Sequence, residues 1–206
     1  MADVFHYFSS PLYVSDSTEF LPIVLEVSDE MLAKLKHDPH EIYPMFHTDN
    51  FAHDPRLTEF CTFLAQTGWN ILKEQGYAMD NFGVSVDAAW TQKHLKHSLM
   101  EQHVHGGSQL VGFYFLETPE GSSRALFHDP RPGKLQNFLP ETNPSEATLA
   151  SNTINFEPKP GLLIISNAWL PHSFGRHASD EPLKFVHFNL SAVYSPPVQC
   201  STAEVV

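Results

Sequence analysis

HVHGGSQLVGFYFL, residues 103–116, sets two histidines two positions apart, then a glycine pair, then a run of aliphatic and aromatic residues too short for a core helix. Such a run bounded by Gly and polar residues reads as a strand buried on both faces. Working outward, GVSVDAAW (83–90), ALFH (125–128), TINF (153–156), GLLIIS (161–166) and FVHFNLSAVY (185–194) have the same character, separated by Pro, Gly, Asn and Asp. Strands that follow one another without intervening helices predict a mainly β antiparallel sandwich or barrel rather than a βαβ sheet.

Before residue 80 the pattern differs. Phe5, Tyr7, Leu12, Tyr13 and Val14 alternate with polar residues, as in an opening strand, and two helices follow. In the first, Ser28 is placed to cap and Met31, Leu32 and Leu35 give an apolar face. In the second, Asp54 is the expected N-cap with Pro55 in the first position. Leu57, Phe60, Cys61, Leu64, Gly68 and Ile71 then recur at helical spacing and Gly76 marks the stop. The stretch 129–152 is polar and proline-rich and reads as a long loop over one mouth of the barrel. The organisation expected is one domain over 1–206: a strand and supporting helices over 1–80, a β core over 81–195, and a tail over 196–206.

Apolar residues make up 42% of the 206-residue chain and charged residues only 17%, which argues against disorder and leaves enough for a core. A net charge of −12 disfavours nucleic-acid binding through a basic surface. The N-terminus has no basic start followed by an apolar core, and no run is long and apolar enough to span a membrane, so a cytoplasmic protein is expected. Cys61 in an apolar helix and Cys200 in a polar tail do not suggest a structural disulfide. The apolar helix 55–75 and exposed strand edges offer a homodimer contact.

Among 13 histidines, His6, His37, His40, His47, His53, His94 and His97 stand in polar surroundings and read as solvated. His103 and His105 differ: residues i and i+2 of a strand face the same way, so both imidazoles enter one space. His172 ends NAWLPH directly after the strand GLLIIS. Alone it reads as a turn histidine. Beside the H-x-H in a jelly roll, where strands distant in sequence face one another, it reads as a third ligand of one metal, and imidazole suits iron, zinc, copper and nickel.

Several segments in order carry a resemblance: FSSPLYV (8–14), Trp90 ending a strand, HVHGGSQLVGFYFL, LFHDPR (126–131), PGLLIISNAWLPHSF (160–174) and FVHFNLS (185–191). Together they resemble the small 2-oxoglutarate/iron(II) oxygenases related to prolyl 4-hydroxylases, a family largely of bacterial and phage origin. The resemblance implies a double-stranded β-helix (a jelly-roll, cupin-like barrel) with iron(II) on His103, His105 and His172 as metal-binding and catalytic residues. It further implies 2-oxoglutarate as co-substrate, O2 as oxidant, and hydroxylation of a small molecule or protein side chain.

The match departs from the family pattern in two places. His105 stands where relatives often carry Asp, so three neutral imidazoles would leave a divalent ion its full charge; Glu101 and Asp129 are the nearby carboxylates considered for the metal. Leu183 occupies the position expected for the arginine that holds the far carboxylate of 2-oxoglutarate, and Phe115 replaces a tyrosine. Lys184, Tyr114, Arg131 and Asn189 are therefore the expected co-substrate contacts, with Arg176 a further candidate, although strand parity sets Lys184 opposite Phe185, His187 and Asn189. Two other functions stay open: a three-histidine dioxygenase that does not use 2-oxoglutarate, and a non-catalytic jelly-roll binding module.

Overall fold

The computed structural model describes every residue except 1, 4, 37, 137–138 and 196–206; His37 and Cys200 therefore lie outside the described residues. The elements are β1 (Leu12–Asp16), α1 (Leu21–Ala33), β2 (Met45–His47), α2 (Thr58–Glu74), β3 (Phe82–His94), β4 (Met100–His103), β5 (Leu110–Glu117), β6 (Ala125–His128), β7 (Thr153–Phe156), β8 (Leu162–Asn167), β9 (His172–Phe174) and β10 (Leu183–Tyr194). One sheet runs β1-β8-β5-β10-β3-β2 and the facing sheet β4-β9-β6-β7, with every pairing antiparallel. From β3 onward successive strands alternate between the two sheets, except that β6 and β7 follow one another in the smaller one, the jelly-roll order expected from the run of helix-free strands.

The larger sheet is apolar on both sides because it separates two cores. Tyr114 and Leu116 of β5, Leu163 and Ile165 of β8, and Val186 and Phe188 of β10 face the helical layer, where they meet Val24, Phe60, Leu64 and Ile71. Their alternating neighbours Phe113, Phe115, Ile164, Leu183 and Phe185 face the second sheet and join Phe127, Leu170 and Phe174 inside the barrel. Burying each such aromatic or aliphatic side chain contributes about 1.5–3 kcal/mol, so both faces hold the sheet in place. At Gly112 of β5 an added Cβ would lie 2.2 Å from the Phe188 ring and 2.7 Å from the Ile164 carbonyl oxygen, so glycine alone lets these strands close.

A bulge decides what enters the barrel from β3. Opposite β10, Asn189 pairs with Ala88 and Leu190 with Val86, leaving Asp87 as the extra residue. Val84 and Val86 face the helices before it, and Ala89 does so after it. Thr91 follows the new parity, its hydroxyl reaching Ser28 of α1 at 2.7 Å. Trp90, Gln92 and His94 consequently turn inward.

Four details differ from the sequence reading. Trp90 does not end its strand, which runs on to His94. His94 is fully buried rather than solvated. Ser28 is not a cap: α1 begins at Leu21, and Ser28 is buried in its middle. The second helix opens as expected, with the Asp54 carboxylate accepting from the Arg56 backbone N–H at 3.0 Å, but its first turn is a 3-10 turn before α2 proper. Gly76, at φ +94°, ends it. The described residues of 129–152 hold no strand, and Lys134 ties the arms of the stretch together through the carbonyls of Ala150 and Ser151. Among the described residues no helix is long and apolar enough to cross a membrane.

Candidate metal centre

β4 ends at His103, and the chain reaches His105 two residues later; β9 starts at His172, which pairs with His103 across the smaller sheet. The backbone N–H of His105 donates to the Ala168 carbonyl at 2.9 Å and locks the H-x-H turn against the segment leading into β9. These constraints bring one nitrogen from each imidazole within 4.8 Å of the other two. His172 is buried, while His103 and His105 are partly open to solvent.

The hydrogen bonds of the rings specify which nitrogen is free. His103 Nδ1 lies 2.8 Å from the Glu101 carbonyl oxygen, His172 Nδ1 lies 3.0 Å from the Leu170 carbonyl oxygen, and His105 Nδ1 lies 2.8 Å from Asn189 Oδ1. Each acceptor is an oxygen, so each Nδ1 carries the hydrogen and each Nε2 presents a lone pair. Nε2 of His105 and of His172 is buried without a protein partner. Orienting a ligand imidazole through its second nitrogen is the usual device of metal sites, and a buried orphan acceptor is otherwise costly. Burial also holds the His172 ring at a pKa of about 3 and lowers that of His105, so both stay neutral and able to ligate near neutral pH. The donor set fits a divalent ion.

Aromatic rings enclose this centre. Phe113 meets His172 edge-on at 5.3 Å between centroids, and Trp90 lies parallel to His105 at 6.2 Å. His187, whose side chain the sequence reading only noted as sharing a face with Asn189, is fully buried beside them, 4.7 Å from the His105 centroid. A groove of about 450 Å³ between residues 5–12, β6 and residues 148–154 has Phe127 and Leu170 in its wall, and both adjoin His172.

Of the expected co-substrate contacts, only Asn189 sits at the centre, as the acceptor that orients His105. Tyr114 belongs to the other face of β5 and donates its hydroxyl to the Ser17 carbonyl at 2.6 Å under the helices. Lys184 also points out of the barrel, to Asp29 of α1 at 2.7 Å and Glu117 at 3.0 Å. Arg131 is clamped to Asp129 at 2.6 Å in the groove wall, and with Lys134 holds that carboxyl well below its usual range. Arg176 contacts His97 at the surface. Glu101 is exposed and accepts from Tyr43 at 3.5 Å. Neither Glu101 nor Asp129 joins the three histidines among the described residues. No described Lys or Arg is buried, and the cation that lines the groove beside His172 is Arg131, engaged by Asp129.

Residues 88–189 match the family described as "Putative 2OG-Fe(II) oxygenase". No curated protein matches the chain. Solved structures similar to it include AviO1 from Streptomyces viridochromogenes, with a TM-score of 0.60 at 12% identity over 91% of this chain and 92% of that one. A second is the non-heme alpha ketoglutarate dependent epimerase SnoN from nogalamycin biosynthesis, with a TM-score of 0.58 at 16% identity over 91% and 82%. A third is a prolyl-4-hydroxylase from Pseudomonas putida, with a TM-score of 0.57 at 8% identity over 88% and 93%. At such identities the likeness shows the fold. The family match spans β4 to β9 and all three metal-ready histidines, and residues 88–189 form a domain of the 2OG-Fe(II) oxygenase family.

Proposed function

We propose that the chain is an iron(II)- and 2-oxoglutarate-dependent oxygenase acting on a C–H bond of a small molecule or protein side chain. His103, His105 and His172 hold the metal, and the whole of 1–195 serves as one unit around it. The observation that carries this reading is the shared wiring of the three rings, each with Nδ1–H engaged by an oxygen and Nε2 left free. With three protein ligands, a bound iron(II) would remain free to take a chelating 2-oxo acid and O2. Iron(II) with such an acid supplies oxidation of the acid to succinate and CO2 coupled to oxidation of substrate. The protein's part is to hold the ligand nitrogens, to exclude water with Phe113, Phe127 and Trp90, and to admit substrate along the groove beside His172.

A second reading, a three-histidine dioxygenase that does not use 2-oxoglutarate, draws support from the barrel's lack of any buried Lys or Arg. Titrating anaerobic, iron(II)-loaded protein with 2-oxoglutarate separates the two. The first reading expects the weak visible charge-transfer band of the chelate, lost in His172→Ala, and succinate on admitting air. Tight iron binding with no band and no succinate would favour the second.

A further inference from the structure

His187 is a fourth imidazole at the metal centre, and it is wired the opposite way from the other three. β10 turns it into the barrel, fully buried, with ring centroids 4.7 Å from His105, 5.8 Å from His172 and 6.4 Å from His103. Phe113 and Trp90 pack on it, each at 4.6 Å. Its Nε2 has no partner in the protein.

The neighbouring amide sets the position of its hydrogen. His94 Nε2 lies 3.0 Å from Gln92 Oε1, and an amide oxygen only accepts, so His94 donates there. With the amide in that orientation the Gln92 NH2 faces His187 Nδ1 at 3.5 Å, a long contact in which Nδ1 is the acceptor. A neutral ring accepting at Nδ1 carries its hydrogen on Nε2. A protonated nitrogen has no lone pair for a metal, so His187 is a hydrogen-bond donor beside the centre and not a fourth ligand.

We propose that His187 is the positioning residue for the acid co-substrate, its Nε2–H donating to a carboxylate oxygen of a 2-oxo acid seated at the three-histidine centre. The proposal rests on the reading of the chain as a 2-oxo-acid-dependent oxygenase. Three neutral imidazoles leave a divalent ion its full charge, which draws an anion to the site. A carboxylate is an acceptor-only group, the complement of an N–H that finds no acceptor in the protein. No buried Lys or Arg competes for it, and Leu183 lines the interior where a cation was expected. His187 thus supplies a neutral contact close to the metal in place of a charged one far from it.

The test compares the parent protein, His187→Phe and Gln92→Glu, all anaerobic. Iron(II) affinity, 2-oxoglutarate affinity from the charge-transfer band, and the band position are measured on each. His187→Phe should keep iron affinity within about threefold and weaken the acid roughly 10- to 100-fold, the size of one hydrogen bond to a charged group. In Gln92→Glu the carboxylate only accepts, so a neutral His187 ring carries its hydrogen on Nδ1 and the Nε2 donor is lost while the ring stays. The acid should weaken there too and the band should shift, which keeps the test decisive where His187→Phe fails to fold. Unchanged acid affinity in the folded variants overturns the proposal. Loss of iron in His187→Phe comparable to that in His172→Ala also overturns it, by making His187 a ligand. A parent protein without any band overturns the oxygenase reading and this proposal together, whereas a normal parent band that the variants do not alter overturns this one alone.

Discussion

The mouth of the barrel and its depth are built from similar strands but are chemically opposite. At the mouth, three imidazoles each give their Nδ1 hydrogen to an oxygen and leave Nε2 free, and two of those nitrogens are buried without a partner. A few residues deeper the space is filled by Phe113, Phe115, Phe174, Phe185 and Leu183, with Phe174 and Phe185 stacked at 4.5 Å. Among them His94 meets Phe174 and Phe185 edge-on, and burial holds it at a pKa of about 3. The contrast separates the two tasks that the proposed function needs: the mouth presents three free imidazole nitrogens, and the depth offers apolar packing in place of a counter-charge.

That comparison can be broken in several ways. The largest effect belongs to His172→Ala, which removes a ligand and should weaken iron(II) binding by more than about 100-fold, beyond the cost of losing an outer-shell partner. Anaerobic titration measures it, and near-parent affinity would mean that the mouth is not the metal centre. Phe185→Ala should behave in the opposite sense. It should lower unfolding free energy by about 3–5 kcal/mol in urea titrations through the cavity it leaves, while changing iron affinity little. Asn189→Ala leaves the ligands in place but frees His105 Nδ1, and should reduce iron affinity by about 10- to 100-fold.

The depth makes its own pH prediction. His94 has a folded pKa of about 3 against an ordinary value of 6.5. The unfolded chain therefore binds more protons between those values, and stability is lost as pH falls from 6.5 toward 3. At pH 5 the His94 contribution is about 2 kcal/mol, and iron should not restore it because His94 is no ligand. Urea midpoints at pH 7.5 and pH 5 should converge in His94→Phe relative to the parent; equal pH sensitivity in both would assign the loss to other histidines. The smallest effect concerns the acid itself. With no buried Lys or Arg to meet the far carboxylate, a monocarboxylic 2-oxo acid such as pyruvate should bind within about tenfold of 2-oxoglutarate, less than a charge-assisted contact would enforce. A larger preference would place a cation in the barrel and erase the contrast.

Much of this molecule is readable from local chemistry. The position of His172 after GLLIIS and the Asp54–Pro55 and Gly76 limits of the second helix follow from short-range rules and recur in the structure, while His105 reaches His103 from past the end of β4 rather than from one strand face. Lys184 likewise lies opposite Phe185 and His187, as strand parity requires. The interior of β3 is different. Parity counted from Val84 and Val86 sends Trp90, Gln92 and His94 to the helical side, and only the extra residue Asp87 reverses them. Tyr114 was expected at the co-substrate and faces the helices because Phe113 and Phe115 occupy the inward positions of β5.

Strand and helix content, the histidines at 103, 105 and 172 and the absence of an arginine before FVHFN were set by the sequence itself, since composition, period and turn residues act over a few positions. Tertiary structure alone decided that Asn189 orients His105, that His94 and His187 are buried, and that Gln92 reaches His187. Those outcomes depend on Asn189 brought from β10 and on a bulge set by pairing between β3 and β10. Contacts between residues that far apart exist only once the sheets have closed.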